Sequence, residues 1–173
     1  MADGERVENV ILGGGEPGKY IAWELARQGR RTVIVERALI GGSCPNIACL
    51  PSKNVINSGK VADLVRHAAG YGQRTGPVAT DMAGVRGRKR EMVDGLVEIH
   101  RKRFASNGLE FLLGEGRFVA PRTIEVRLAA GGTRRVEAER VFLDLGTHAT
   151  VPDIPGLADA APLTHVEALE LDR

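Results

Sequence analysis

The stretch Val7-Glu8-Asn9-Val10-Ile11-Leu12-Gly13-Gly14-Gly15-Glu16-Pro17-Gly18 decides the fold. Val7 to Leu12 carries the Val, Ile and Leu content of a buried parallel strand. It runs straight into three glycines at Gly13-x-Gly15-x-x-Gly18. Lys19 to Gln28 follows, with Ile21, Ala22, Leu25 and Ala26 recurring at helical spacing and Gly29 placed to stop the helix. Thr32 to Val35 reads as a second buried strand, closed by Glu36. Strand, glycine turn, helix and strand form a mononucleotide-binding unit. In such a unit the first glycine permits the tight turn, the second lets backbone approach a pyrophosphate, and the third lets helix and strand pack closely. The helix N-terminus offers N–H groups and partial positive charge to phosphate. Glu36 lies 18 residues past Gly18, where a carboxylate can accept hydrogen bonds from a ribose diol. An NADP site would have a neutral or basic group there, so NAD or FAD is favoured.

Beyond this opening, helices are expected over Asn54 to Ala69, ended by Gly70-Tyr71-Gly72, and over Asp81 to Ser106, stopped by Asn107-Gly108. Leu109 to Leu113 reads as a strand. Thr123 to Leu128 and Thr133 to Ala138 read as a hairpin around Gly131-Gly132, and Arg140 to Leu145 as a further strand. Pro152 and Pro155 mark an extended connector, after which Thr164 and Glu167 have capping-box spacing. The expected fold is α/β: a Rossmann-like three-layer FAD/NAD(P)-binding fold, with a parallel sheet and a small antiparallel β excursion. Residues 1–150 form the domain and 151–173 a linker.

Composition bounds the function. The 173 residues suffice for one core, and 27% charged residues with 43% hydrophobic is the balance of a soluble globular chain. Aromatics at 4% leave few rings for stacking on bases, and a net charge of +2 is too small to indicate a polyanion partner. No nucleic-acid partner is therefore expected. No run of 18 apolar residues exists and Met1 to Asn9 is polar and acidic, so neither a membrane span nor a signal peptide is expected, and the expected location is cytoplasmic. Arg86-Gly87-Arg88-Lys89-Arg90 is read as a solvated helix face, with Glu91 and Asp94 nearby. Met82 and Met92 are read as core. His67, His100, His148 and His165 are read as surface or satisfied residues.

The second informative stretch is Gly41-Gly42-Ser43-Cys44-Pro45-Asn46-Ile47-Ala48-Cys49-Leu50-Pro51-Ser52-Lys53, which holds both cysteines. In a regular helix five-residue spacing would leave their Cα atoms about 8–9 Å apart, beyond bridging distance. A disulfide would need an irregular turn, and Pro45 is expected to break the backbone there. Pro51 suits the first turn of a following helix, which places Cys49 near that helix's positive end, a position suited to a redox cysteine. Two other readings stand beside this one: inert buried cysteines, or half of a zinc site. The zinc reading lacks a second cysteine pair, and the histidines are far off in sequence, so no metal is expected.

Together the glycine turn, the Glu-terminated strand and Cys-x4-Cys followed by Pro-Ser-Lys resemble the class I pyridine nucleotide-disulfide oxidoreductases, which include glutathione reductase, dihydrolipoamide dehydrogenase and mercuric reductase. The likeness extends through Asp81 to Gly95 and Leu163 to Asp172. It is nearest to mercuric-reductase-like and dihydrolipoyl-dehydrogenase-like proteins. The resemblance implies that Gly13, Gly15 and Gly18 cradle the FAD pyrophosphate and that Glu36 binds the adenosine ribose, with Arg37 beside it. Gly42 and Ser43 would approach FAD, and Gly116 and Gly146 would supply later backbone contacts. Cys49 would stand beside the flavin, Cys44 would attack substrate, and Lys53 would lie near the flavin N5.

NAD(P)H would reduce FAD, FAD the Cys44–Cys49 disulfide, and the dithiol a small-molecule disulfide or related substrate. Full-length relatives are homodimers. Their NAD(P)H domain, second FAD segment and dimerisation domain have no counterpart in these residues, so the isolated chain is expected to bind FAD loosely and to be inactive. Some positions depart from the family pattern: Pro45, Ala48, and above all Asp144-Leu145-Gly146-Thr147, which sets a carboxylate where alanine is usual. A non-catalytic or vestigial FAD-binding module is the alternative. A plain NAD-dependent dehydrogenase leaves Cys-x4-Cys unexplained.

Overall fold

The computed structural model describes residues 5–105 and 108–172. Asn107, expected as part of a helix stop, and Ser106, expected as a helix end, lie outside the described residues. The chain divides into two compact units. One joins the described residues up to Asn46 with Leu96–Thr147; the other joins Ile47–Gly95 with the described residues from His148 onward. Residues 151–173 are read from sequence as a linker, and the described ones fall in the second.

The first unit is built on five strands. These are β1 (Glu5–Leu12), β2 (Thr32–Glu36), β3 (Glu110–Ala120), β4 (Thr123–Leu128) and β5 (Thr133–Leu143). β1 pairs in parallel with β2, from Asn9↔Thr32 to Leu12↔Val35, and with β5, from Glu5↔Val136 to Leu12↔Leu143. β3 lies parallel to β2. β4 is antiparallel to both β3 and β5, so the five strands close into a ring. The fold is mixed α/β with parallel and antiparallel pairing, as expected.

Closure was not expected, and it follows from strand length. β3 and β5 each run 11 residues and serve two ladders, parallel toward one end and antiparallel toward the other. What reads in sequence as a hairpin strand ending at Ala138 and a separate strand beginning at Arg140 is one strand. The parallel ladder of β3 ends at Leu113 and its antiparallel ladder begins at Gly114. A Cβ at Gly114 would come within 2.4 Å of the Arg127 carbonyl, and one at Gly116 within 2.5 Å of Leu12 Cδ1. Glycine is thus required where the strand bends to close the ring.

Period-two alternation sorts the strand side chains. Val10, Leu12, Val33 and Val35 join Leu112, Ile124, Val126, Val136 and Ala138 in a cluster to which every strand contributes. Ile11 and Ile34 point the other way, into a second cluster with Ala22, Ala26, Ile40, Phe104 and Leu109. Complete burial of an aliphatic side chain of this size stabilises by about 1.5–3 kcal/mol, and Val10, Ile11, Ile34, Ile124, Val126 and Val136 are fully buried.

Helix α1 (Glu16–Arg27) has Pro17 in its first turn and supplies Ala22 and Ala26 to the second cluster. It ends as expected at Gly29, in the left-handed region at φ 76°. Gly29 N–H donates to the Ala26 carbonyl at 2.9 Å and Arg30 N–H to the Leu25 carbonyl at 3.0 Å, the paired bonds of a Schellman stop.

In the second unit, α3 (Cys49–Arg66) continues into a 3-10 turn (Ala68–Tyr71) that closes on Gly72 in the left-handed region. α4 (Met82–Phe104) begins here, and its last residues, from Leu96, belong to the first unit. α5 (His165–Ala168) carries both bonds of the expected Thr164–Glu167 capping box. The basic run of α4 is a solvated face only in part: Gly87, Arg88 and Arg90 are exposed. Lys89 is buried, its ammonium donating to the Leu169 carbonyl at 2.8 Å and to the Glu170 carboxylate. Arg90 donates to Glu170 Oε2 at 2.6 Å, and Arg86 pairs with Asp172 at 3.2 Å. The partners come from the far end of the chain, where a rule confined to one helix does not look. Met82 and Met92 are half-buried rather than core residues. Among the described residues, no helix is long and apolar enough to cross a membrane.

Candidate functional site

The glycine turn joins β1 to α1 as the sequence requires. Gly13 adopts φ 109°, and a Cβ there would lie 1.9 Å from the Asp144 carbonyl oxygen, so no other residue fits. Gly13 N–H donates to the Val35 carbonyl at 2.8 Å, and Asp144 N–H to the Leu12 carbonyl at 2.9 Å. These bonds hold the ends of β1, β2 and β5 together beneath the turn.

Glu36 is buried and its carboxylate accepts from three backbone N–H groups. Oε2 accepts from Gly14 N–H at 2.8 Å; Oε1 accepts from Ala38 at 2.8 Å and Leu39 at 3.0 Å. An ionised carboxylate has about four lone-pair sites, so Glu36 can order the turn and still accept from one further hydroxyl. Gly42, at φ 86°, brings the start of the cysteine motif against the turn: a Cβ there would lie 2.5 Å from Gly15 Cα.

Two hollows meet over this turn. One, of about 350 Å³, is bounded by Gly15, Gly42, Ser43, Cys44, Gly146 and Thr147. The other, of about 240 Å³, is bounded by Gly13, Gly114, Glu115 and Gly116. Glu36, Arg37, Asp144 and Leu145 line both. The structure therefore brings Gly13, Gly15, Glu36, Arg37, Gly42, Ser43, Cys44, Gly116 and Gly146 around two hollows that share four lining residues, with Gly18 bonded to Asp144.

Asp144 is the residue whose importance the sequence understated. Its Oδ2 accepts from Gly18 N–H at 2.9 Å, and Cβ atoms at Gly15 and Gly18 would lie within 2.7 and 2.6 Å of it. Its signal was the departure from alanine at the family position.

Lys19, directly after the third glycine, was also missed. It is buried, with its ammonium donating to the Glu16 carboxylate, to the Gly41 carbonyl at 3.1 Å and to His100 Nε2 at 3.0 Å. An ammonium has no acceptor, so His100 accepts at Nε2 and carries its proton on Nδ1, 2.7 Å from the Leu96 carbonyl. Burial above all, together with Lys19 and Arg103, pushes the His100 pKa below its ordinary value, against the opposite pull of the Leu96 bond and Glu16.

The cysteine motif breaks at a different place from the one expected. Pro45 sits buried within a short helix α2 (Ser43–Asn46), where its missing N–H costs nothing in a first turn. The irregular backbone is at Ile47 and Ala48, with Ala48 at φ −132°, ψ −100°. Pro51 falls in the first turn of α3, as expected, and Cys49 is that helix's first residue. Cys44 is half-buried in the first unit; Cys49 is exposed in the second. Cys49 and Ser52 open on a hollow of about 480 Å³ formed with Ile47, Ala48, His165, Ala168 and Leu169. Lys53, one turn beyond Cys49 on α3, is exposed.

The site fits an elongated, phosphate-bearing cofactor in outline. It has a helix N-terminus with the N–H groups of Gly15 and Glu16 taken by no described protein acceptor, a cation at Arg37, and a buried carboxylate suited to a sugar hydroxyl. The carboxylate of Asp144 is the discordant element.

Comparison with known proteins agrees with this geometry. Residues 7–173 match the family described as pyridine nucleotide-disulphide oxidoreductase. A dihydrolipoamide dehydrogenase of Chaetomium thermophilum is 31% identical over 167 residues, 94% of this chain and 33% of the relative. A mercuric reductase of Acidithiobacillus ferrooxidans is 31% identical, over 96% of this chain and 31% of its own length. The solved structure of the HOCl-induced flavoprotein disulfide reductase RclA of Escherichia coli superposes with a TM-score of 0.75 at 26% identity, covering 96% of this chain and 34% of that one. The chain thus spans about a third of the length of the relatives it matches. Its glycine turn, mixed sheet and cysteine motif make it a member of the pyridine nucleotide-disulphide oxidoreductase family.

Proposed function

We propose that this chain is the FAD-binding portion of a flavin-dependent disulfide oxidoreductase, arranged as a Rossmann-like three-layer fold. The observation that carries the reading is that one hollow is bounded both by the glycine turn at Gly15 and by Cys44, so phosphate cradle and thiol share a recess. FAD, when bound, supplies the two-electron relay from NAD(P)H to a Cys44–Cys49 disulfide. The chain's own residues do the rest. Gly13, Gly15 and Gly18 shape the turn that receives the pyrophosphate, and Glu36 accepts from the adenosine ribose beside Arg37. Gly42 and Ser43 bring backbone and a hydroxyl to the cofactor, while Gly116 and Gly146 border it. Cys49 faces the flavin, with Lys53 near N5. As thiolate, Cys44 attacks one sulfur of a small-molecule disulfide, releasing the other as thiolate; Cys49 then displaces the bound half and restores the disulfide. A homodimer, as the family resemblance implies, is proposed for a full-length form, working in the cytoplasm.

A second reading takes its support from the Asp144 carboxylate at the turn: a non-catalytic module that binds FAD and does not turn over. The visible absorption spectrum with FAD, before and after dithiothreitol, tests the first claim. A long-wavelength band on reduction supports Cys49 against the flavin; a protein that leaves the FAD spectrum unchanged sinks the cofactor reading. Thiols released from the oxidised Cys44–Cys49 pair on photoreduction of bound FAD separate the two readings, since the module gives none.

A further inference from the structure

A turn of this kind presents its first backbone N–H groups to an anion. In this chain most are already spent. Gly14 N–H is taken by Glu36, Pro17 has none to give, and Gly18 N–H is taken by Asp144. Gly15 and Glu16 remain. Asp144 also lines both hollows, beside the turn whose N–H groups face an anion. Its carboxylate is thus an internal anion on the positive end of α1, and the only cation lining both hollows among the described residues is Arg37.

We infer that Asp144 sets the affinity of this chain for phosphate-bearing dinucleotides by competing, through its charge and its bond to Gly18, for the cradle that receives the pyrophosphate. The inference rests on the cofactor reading above and goes beyond it. The turn is built to bind FAD more tightly than it does, and one side chain holds it back. Like charges near a protein surface oppose each other through an effective dielectric well below that of water, and relief of that repulsion is worth about tenfold in affinity.

Asp144→Asn separates charge from geometry, because its amide oxygen still accepts from Gly18 N–H. Asp144→Ala additionally returns that donor to the ligand. FAD and adenosine are titrated into the 173-residue wild type and both variants, with circular dichroism confirming a common fold. FAD is expected to bind about tenfold more tightly to Asp144→Asn and at least as tightly to Asp144→Ala. The gain should shrink as salt rises, because screening removes only a charge effect. Adenosine, which has no phosphate, should bind all three alike. Equal or weaker FAD binding by Asp144→Asn overturns the inference and leaves the cofactor reading standing, as does an equal gain for adenosine. Failure of all three proteins to bind FAD overturns both.

Discussion

The Lys19 ammonium and His100 Nε2 lie 3.0 Å apart inside the first unit, one buried base accepting from one buried cation. Trp23 stacks on the imidazole with ring centroids 6.1 Å apart, and the Gly41 backbone lies against it closely enough that a Cβ there would come within 2.9 Å. The pair therefore ties Lys19, the fourth residue of α1, to the start of the cysteine motif, through a group that accepts only while neutral.

This arrangement gives a pH dependence with a definite sign. His100 has its folded pKa depressed, by burial first and then by Lys19 and Arg103, with Leu96 and Glu16 opposing. The unfolded chain then binds the proton more readily than the folded one, so stability rises with pH between the folded value and the ordinary value of 6.5. Full stability is expected above that window and progressive loss as pH falls through it. Thermal unfolding followed through Trp23, the chain's one tryptophan, should show a steeper decline from pH 7 to pH 5 in wild type than in His100→Gln. Parallel slopes would remove His100 from the account.

Gly42 and Gly29 both have positive φ, at 86° and 76°, yet only Gly42 meets backbone at 2.5 Å. Gly29→Ala pays the conformational term alone and should cost about 1 kcal/mol. Gly42→Ala must also push the motif away from Gly15, and should cost about 3 kcal/mol. Urea midpoints at unchanged m-value would measure both; equal costs would mean that the contact between turn and motif carries no strain.

Glu170 receives Lys89 and Arg90, and although burial raises its pKa, those two bonds together hold it below the usual carboxylate value. Glu170→Gln leaves the buried Lys89 ammonium with the Leu169 carbonyl and without its counter-charge. A loss of about 2 kcal/mol is expected, on the scale of an uncompensated buried charge in a partly hydrated site. Glu91→Gln, on the outer face of the same helix, should be neutral within about 0.5 kcal/mol. Chemical denaturation of the two variants side by side decides whether the basic run is a structural anchor.

The proposed roles of the cysteines make opposite predictions. Cys44→Ser leaves Cys49 unable to pair, so the long-wavelength absorption with FAD should appear without dithiothreitol. Cys49→Ser should abolish it under every condition while FAD still binds. The reverse pattern would exchange the two roles.

Much of the first unit was legible because its grammar is local. The apolar strand, the glycine spacing, the Gly29 stop and the Glu-terminated second strand each declare themselves within a dozen residues, and all four are present. Ring closure was not legible: Glu139 and Arg140 interrupt the apolar run of β5, and only pairing with β1 shows the strand to be continuous. The basic run was partly misread for a related reason, since its counter-charges are some 80 positions away. Asp144 stood out as a departure, but its bond to Gly18 spans 126 positions and needed the fold to be seen.

The ring of strands has one more consequence. A sheet with open margins exposes rows of unpaired amides and carbonyls that can template growth on a neighbouring molecule. Here β3 and β5 each hand over from one ladder to the next, so among the described residues every strand has two neighbours and none is an open margin along its whole length. Self-association of this chain through strand addition must therefore wait until the ring opens, and its rate should follow unfolding rather than the concentration of folded protein alone.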